Sequence, residues 1–323
     1  MRILLAEATT EELLELERAL FDLPDDWELY VALGAERALA LLAAAPFDVV
    51  VSGLATELLP EVRCRHPEVA RLALSAAPDG AAVLRTLRDA HQVLSKPCRS
   101  DLLFTALQRL EVVRSLVVDS DARAVLGAVD SLAAGSAPLA ALLGDRAADL
   151  AEVSAHIAGD PGLSAKVLQI ANTAFFSRGH AVVDVPTAVQ RVGLDALRSA
   201  LACGLFTATR RRQRVSAAVA NVAASLVPAP LRGEAYTAAL LCATGDLALD
   251  RGPSVADAQS AESGAYLLAL WGLPGSIVRA VAAQRDSQRT VSRDGGLAVV
   301  LRVAREQVAA VAVDSLRRID VAA

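Results

Sequence analysis

The stretch DPGLSAKVLQIANTAFF, residues 160–176, decides the fold of the C-terminal half of this chain. Asp160 can cap a helix, and Pro161 is suited to the first helical turn. Apolar residues then recur at helical spacing from Leu163 to Ala174. The polar residues that interrupt this spacing come just before a pair of phenylalanines. The pattern predicts a packed helix whose end is fixed by Asn172 and the two aromatic rings.

The sequence of this stretch closely resembles the signature of HDOD domains, helical signalling modules related to the HD-type metal phosphohydrolases. The resemblance continues in AVQRVGLDALRSAL, residues 188–201, and in AESGAYLLALWGLP, residues 261–274. It implies that a small set of residues organises the helical core. These residues are Asn172, Thr173, Phe175 and Phe176, with Trp271 and Pro274 at a second packed helix end.

The helical pattern covers residues 115–323 and predicts an all-α bundle with short connections. The predicted helices are Leu116–Ala133, a piece that starts at Leu139–Leu143, Leu150–Ala158, Leu163–Ala174, Val185–Val192, Leu194–Thr207, Val215–Leu226, Glu234–Leu249, Ala261–Trp271, Ser276–Gln284 and Gly295–Val313. This bundle is the second predicted domain.

Residues 1–114 alternate between short apolar runs and amphipathic segments. The predicted strands are Ile3–Ala6, Trp27–Leu33, Phe47–Ser52, Leu72–Ser75 and Val93–Ser95, and the predicted helices are Thr10–Phe21, Ala35–Ala45 and Asp101–Arg114. Such alternation is typical of an α/β doubly wound parallel sheet. The first predicted domain is therefore of this class.

Residues 1–112 resemble the receiver domain of response regulators, most visibly in EVRCRHPEVARLALSA, residues 61–76, and in HQVLSKPC, residues 91–98. Receivers phosphorylate an aspartate after the third strand, hold Mg²⁺ on a pair of acids, and contact the phosphoryl group with a Ser or Thr and a Lys. In this chain Gly53 stands at the acceptor position. Glu7 matches one acid, and Ala8 replaces the other.

Ser75 and Lys96 match the two residues that contact the phosphoryl group. Glycine has no nucleophile, and one carboxylate is a poor Mg²⁺ site. The resemblance therefore implies a receiver that phosphodonors leave unmodified. It also implies a cis peptide bond between Lys96 and Pro97.

Two roles stay open for Lys96. It could bind phosphate or another small anion together with Ser75 and the strand ends. Alternatively, it pairs with Glu7 across the end of the sheet. The nearby carboxylate favours the ion pair.

The HD-type active site is altered as well. Active relatives carry the motif LLHDIGK, which LLCATGD, residues 240–246, matches here, so Cys242 and Ala243 replace the His and the Asp. Val215 and Gln284 occupy two further His positions. A catalytic ion needs at least three protein ligands, and His156 and His180 are the only histidines after residue 115. The resemblance therefore implies no catalytic metal and no cofactor, and Cys242 is interpreted as an inert helix cysteine.

Composition restricts the remaining function classes. A net charge of −5 and 3% aromatic residues argue against a nucleic-acid partner. The run Arg210–Arg214 is interpreted as a solvated helix end, although four arginines could also contact phosphates. Four cysteines without a CxxC pair indicate free thiols in a reducing cytoplasm. No apolar stretch is long enough to span a membrane, so a cytoplasmic location is expected.

These observations predict a non-catalytic bacterial signal-transduction scaffold that contacts other signalling proteins and could form a homo-oligomer. Two alternatives stay open. One is a metal-dependent cyclic-dinucleotide phosphodiesterase with a remodelled site, which stoichiometric Fe, Mn or Zn would favour. The other is nucleic-acid binding through Arg210–Arg214, which steeply salt-dependent association would reveal.

Overall fold

A computed structural model describes residues 1–20, 24–76, 79–132, 136–145, 147–206, 216–248, 258–284 and 295–321, with the backbone alone for residues 216, 258, 259, 295 and 311–321. The N-terminal half is a five-stranded sheet with the order β2-β1-β3-β4-β5, and every neighbouring pair is parallel. The strands are β1 (Arg2–Glu7), β2 (Glu28–Leu33), β3 (Val49–Ser52), β4 (Ala70–Ser75) and β5 (Gln92–Ser95). The predicted doubly wound fold is confirmed.

Five helices of the described residues belong to this half. They are α1 (Thr10–Ala19), α2 (Ala35–Ala44), α3 (Leu59–Arg65), α4 (Gly80–Thr86) and α5 (Ser100–Arg114). All four residues of β3 are buried, as expected for a parallel strand covered on both faces. Side chains fix two helix starts, because Thr9 accepts from the Glu12 N–H and Asp79 accepts from the Ala82 N–H. In such folds the carboxyl ends of the strands form the ligand-binding edge.

The C-terminal half is helical. Its helices are α6 (Ser120–Gly127), α7 (Ser136–Gly144), α8 (Leu150–Ala158), α9 (Pro161–Ala171), α10 (Ala174–Ser177), α11 (Val185–Ala202), α12 (Ser216–Ser225), α13 (Arg232–Leu240), α14 (Thr244–Ala248), α15 (Ala258–Leu270), α16 (Gly275–Ala283) and α17 (Gly295–Val321). Asp160 caps α9, accepting from the Leu163 N–H, as its position before Pro161 predicts. Gly193 interrupts α11 with a φ of 75°, a value that glycine adopts readily. The two helices predicted here, Val185–Val192 and Leu194–Thr207, meet at this residue.

Some predicted helices are too long. Of the described part of the predicted helix Leu116–Ala133, residues 116–132, only Ser120–Gly127 is helical. Asp119 caps its start, and a Cβ at Gly127 would lie 1.9 Å from the Pro67 carbonyl oxygen, so this helix ends in close contact with the sheet domain.

Two other predicted helices are divided. Leu163–Ala174 divides between α9 and α10, and a 3₁₀ turn at Leu241–Ala243 separates α13 from α14. Apolar periodicity does not record such breaks, because the residues on either side remain buried.

The two halves share one continuous apolar core. The edge strand β5 contacts α10, and α5 contacts α15. At the other edge of the sheet, among the described residues, β2 pairs with β1 alone. The division at residue 114 stays a prediction, because α6 packs closely on both halves.

Among the described helices, none combines the length and the apolarity that a membrane span requires.

Candidate functional site

The carboxyl ends of three strands bring Glu7, Gly53 and Lys96 together. The Lys96 Nζ donates to Glu7 Oε2 at 2.9 Å and to Glu12 Oε1 at 2.7 Å. Glu7 is 1% exposed, whereas the Lys96 side chain is 23% exposed. The predicted ion pair between Lys96 and Glu7 is confirmed. The second carboxylate, Glu12, was missed, although its place in the first turn after β1 was a usable signal.

The ion pair occupies the space in front of Gly53. A Cβ at this position would lie 2.2 Å from Glu7 Oε2 and 2.4 Å from Lys96 Nζ. Real Cβ atoms essentially never come within 3.0 Å of such atoms. The space that a side chain of residue 53 would need is therefore taken by the side chains of Glu7 and Lys96.

The electrostatics of the cluster follow from burial and pairing. Burial raises the pKa of Glu7, against the lowering effect of its hydrogen bond from Lys96. Burial alone would lower the pKa of Lys96, but its hydrogen bonds to Glu12 and Glu7 raise it above the ordinary value. The Lys96 ammonium is thus already paired twice, which argues against the anion-binding alternative.

The remaining receiver-site residues have structural contacts. The Ser75 carbonyl accepts from the Lys96 backbone N–H at 2.9 Å. Ser52 Oγ donates to the Ala6 carbonyl at 2.8 Å and accepts from the Leu54 N–H at 2.9 Å, which fixes the turn at the end of β3. Ala8 adds no side-chain oxygen after β1.

The Lys96–Pro97 peptide bond is cis, as the sequence predicts.

Two residues of the altered HD site lie side by side. Gln284 Nε2 donates to the Cys242 carbonyl at 3.3 Å, and the Cys242 thiol contacts the Ala238 carbonyl at 3.4 Å. Gln284 Oε1 accepts a hydrogen bond from the Arg305 guanidinium of α17. A positive charge in contact with Gln284, which the resemblance places at a ligand position, opposes a metal cation there. Arg305 was not singled out from the sequence.

The other candidate ligands are dispersed. Asp246 Oδ1 accepts from Ser260 Oγ at 2.5 Å, and Ala243 supplies no ligand atom. His156 is half-buried on α8, and His180 is exposed. Within the described ranges, no group of three His, Cys, Asp or Glu side chains could hold a metal ion. Val215 and the run Arg210–Arg214 lie outside the described residues.

Asn172 fixes the end of α9. Its Nδ2 donates to the carbonyls of Leu168 and Val182, at 2.9 and 3.0 Å, and its Oδ1 accepts from the Val182 N–H at 2.9 Å. Thr173 Oγ1 donates to the Ile170 carbonyl at 2.7 Å. These two residues therefore organise the helix end, as the resemblance implies.

The two phenylalanines behave differently. Phe176 is 6% exposed, whereas Phe175 is 42% exposed, so Phe175 lies outside the helical core, contrary to the prediction. Their rings meet edge to face at 4.9 Å, and a Cβ at Gly80 would lie 2.9 Å from Phe176 Cζ. This pair therefore packs on α4 of the sheet domain. At the second helix end, Trp271 and Pro274 are buried, as predicted.

The fold and the altered sites define a class of protein, a receiver-like α/β domain joined to an HD-related helical domain. The family model for the HDOD domain matches residues 134–253. The helical half is therefore similar to HDOD domains over these residues.

Solved structures provide partial similarities. The response regulator MmoQ from Methylococcus capsulatus str. Bath is 24% identical, covers 55% of this chain and 86% of its own, and has a TM-score of 0.45. The receiver domain of an HD domain-containing protein from Pseudomonas fluorescens Pf-5 is 28% identical over 33% of this chain and 84% of its own, with a TM-score of 0.31.

An HDOD domain protein of unknown function from Geobacter sulfurreducens is 18% identical over 53% of this chain and 70% of its own, with a TM-score of 0.26. All three TM-scores are below 0.5, so the fold assignment rests on the strand order and on the family model. Comparison with curated proteins found no match.

Proposed function

We propose that this protein is a non-catalytic bacterial signal-transduction scaffold, whose receiver-like domain works without phosphorylation and which acts through contacts with other signalling proteins. The observation that carries the proposal is the cluster of Glu7, Lys96 and Glu12 packed against Gly53. A receiver needs an acceptor carboxylate, a metal and a free lysine. This chain offers a glycine, one buried carboxylate and a lysine held by two carboxylates.

The helical half supports the same proposal. Hydrolysis by an HD-type site requires a metal-bound water, and the ion is held by at least three protein ligands. Gln284 instead bonds to the Cys242 carbonyl, and Arg305 brings a positive charge to the same place. A helical domain that lacks a metal site among its described residues would act through its surfaces, which is why we propose contacts with other proteins.

Phosphodonors test the first half of the proposal. Incubation with acetyl phosphate or beryllofluoride and Mg²⁺ should leave the intact mass and the thermal midpoint unchanged. Gly53→Asp is the matched variant, and it should also stay unmodified, because Ala8 still deprives the site of its second metal carboxylate. A phosphoryl adduct on the receiver-like half of the wild-type chain contradicts the proposal.

Metal analysis tests the second half. Protein purified without chelators should contain no stoichiometric Fe, Mn or Zn, and it should not hydrolyse cyclic dinucleotides in added Mn²⁺. Asp246→Ala is the control variant, because Asp246 is the acid of the altered motif. Turnover that this substitution abolishes would replace the scaffold with the phosphodiesterase alternative.

A further inference from the structure

We propose that the contact between the sheet domain and the helical domain is a latch that opens when His91 and Lys166 gain protons. Both side chains are buried in this contact, with 3% and 2% of their surface exposed. Neither belongs to the receiver-like site or to the altered HD site. Lys166 is also one of only two lysines in a chain with 32 basic residues.

Two glutamine amides connect the domains directly. Gln169 Nε2, on α9, donates to the His91 carbonyl at 2.9 Å. In the other direction, Gln92 Nε2, on β5, donates to the Ala269 carbonyl at 3.1 Å. A Cβ at Gly272, whose φ is 73°, would lie 3.0 Å from the Gln92 amide, so glycine permits this approach. The contact is therefore closely fitted around the start of β5.

The hydrogen bonds of His91 require a neutral imidazole. Its Nδ1 lies 3.0 Å from the Arg71 backbone nitrogen and must accept that N–H, so the proton of the neutral ring is assigned to Nε2. Nε2 then faces the Gly127 carbonyl at 3.1 Å, and Arg71 Nη2, which donates to the same carbonyl, lies 3.0 Å from Nε2. A second proton, on Nδ1, would set donor against donor. Burial, reinforced by the Arg71 charge, lowers the pKa of His91 well below its ordinary value.

Lys166 is coupled to His91 through one amide. Its Nζ donates to Gln169 Oε1 at 2.7 Å and lies 4.5 Å from the centre of the Trp271 ring. The same Gln169 donates to the His91 carbonyl. Burial lowers the pKa of Lys166 to about 7. The closed contact thus favours the neutral amine as well as the neutral imidazole.

The charged groups around the latch do not reverse this preference. Arg71 on β4 and Arg63 on α3 both lower the pKa of His91, and Arg63 also lowers that of Lys166. Asp130, after α6, raises the pKa of Lys166. Asp130 and Asp89 are each paired with Arg63, however, so their charges are largely compensated.

Opening exposes both groups to water, where they take up protons, and acid therefore favours the open form. An exposed histidine titrates near pH 6.5, so each unit below about 6.5 should raise the opening constant about tenfold. An exposed lysine titrates near 10.4, so the same slope should hold between about pH 10.4 and 7 and vanish below 7. Because the two windows do not overlap, the two groups can be distinguished.

Amide hydrogen exchange of the full chain, followed by mass spectrometry from pH 5 to 9, measures this opening. Peptides of β5 and α9 report on the contact, and peptides of β1 and β3 report on global unfolding. After correction for the chemical exchange rate at each pH, protection of β5 and α9 should fall about tenfold per unit in both windows. Protection of β1 and β3 should exceed that of β5 and α9 throughout this range, because it is lost only on global unfolding.

Three variants show which group causes each pH dependence. His91→Asn keeps an acceptor near Arg71 and should remove the slope below pH 6.5. Lys166→Met keeps the apolar stem and should remove the slope above pH 7. His180→Asn replaces an exposed histidine and should leave both slopes unchanged.

Several outcomes would overturn the latch. These are a wild-type contact without pH dependence, slopes that persist in both His91→Asn and Lys166→Met, or protection of β5 and α9 equal to that of β1 and β3 at every pH, which would mean that the contact opens only on global unfolding. If His91→Asn does not fold, the upper window in Lys166→Met decides alone. Trp271 fluorescence, recorded in a Trp27→Phe background, provides a second measure, since its emission should shift to the red on opening.

Discussion

The close packing around Gly53 makes its replacement by alanine informative. The added methyl group would fall on the ion pair, 2.2 Å from Glu7 Oε2 and 2.4 Å from Lys96 Nζ. Lys96 is partly exposed and can move into solvent, whereas Glu7 is 1% exposed and has no such path. We therefore expect Gly53→Ala to separate the pair and to leave the Glu7 carboxylate buried without its ammonium.

The magnitude follows from the burial of the two partners. A buried polar group that loses its partner costs about 1–3 kcal/mol, and breaking a fully buried ion pair costs about 3–5 kcal/mol. The exposure of Lys96 places the cost in the lower range. Alanine also lowers the conformational entropy of the unfolded chain, which stabilises the folded protein by about 0.4–1 kcal/mol. The free energy of unfolding should therefore fall by about 1–2 kcal/mol.

A double-mutant cycle measures the effect. Urea unfolding, followed by circular dichroism, compares the wild type with Gly53→Ala, Glu7→Gln and the double variant. The neutral amide introduced by Glu7→Gln needs no ammonium, so the double variant should lose about 1 kcal/mol less than the two single losses together. Gly296→Ala is the control, because nothing lies within 4 Å of a Cβ there.

Two results would refute this reasoning. The first is a Gly53→Ala protein as stable as the wild type. The second is strict additivity in the cycle, since it would mean that residue 53 and Glu7 do not interact.

Three further changes test other contacts. Phe176→Ala should lower the free energy of unfolding by about 3–4 kcal/mol. Phe175→Ala should lower it clearly less, because the Phe175 ring is 42% exposed. Equal losses for the two variants in urea unfolding would contradict this packing. Asn172→Asp removes the Nδ2 donor of two carbonyls and should cost about 2 kcal/mol by the same assay, and an unchanged midpoint would contradict that role. Because the pKa of Glu7 is raised in the folded chain, the folded state holds this proton more tightly than the unfolded chain. Wild-type stability should therefore decrease as pH rises above about 4.5, and Glu7→Gln should flatten that part of the profile.

The sheet domain was predictable because its signals are local. Each strand carries a short apolar or β-branched run, and Phe47–Ser52 reads as a buried strand without any partner being known. The seven-residue helices α3 and α4 were not predicted, since two turns are too short to show a helical repeat of apolar residues in the sequence. The pairing of Glu7 with Lys96 was predictable because Glu7 ends β1 and Lys96 directly follows β5, at the same edge of the sheet.

The contact between the domains was not predictable in the same way. His91, Arg71 and Gln169 lie far apart in the chain, and no pattern within a window of residues relates them. The usable signals were indirect. They were a rare lysine and a glutamine on a helix that is otherwise apolar except for Ser164, Pro161–Ala171. The difference between Phe175 and Phe176 was missed for the same reason, because it depends on how their helix end packs on α4 of the other domain.

The covered edge of the sheet has a consequence for handling the protein in pieces. A fragment that stops after Arg114 would uncover the outer edge of β5, which α10 contacts in the whole chain, and it would expose apolar side chains that the helices now cover. Bare edges of this kind join to one another, strand against strand. The receiver-like half should therefore self-associate more readily when it is produced alone than within the longer chain, and recombinant work should begin with both halves on one polypeptide.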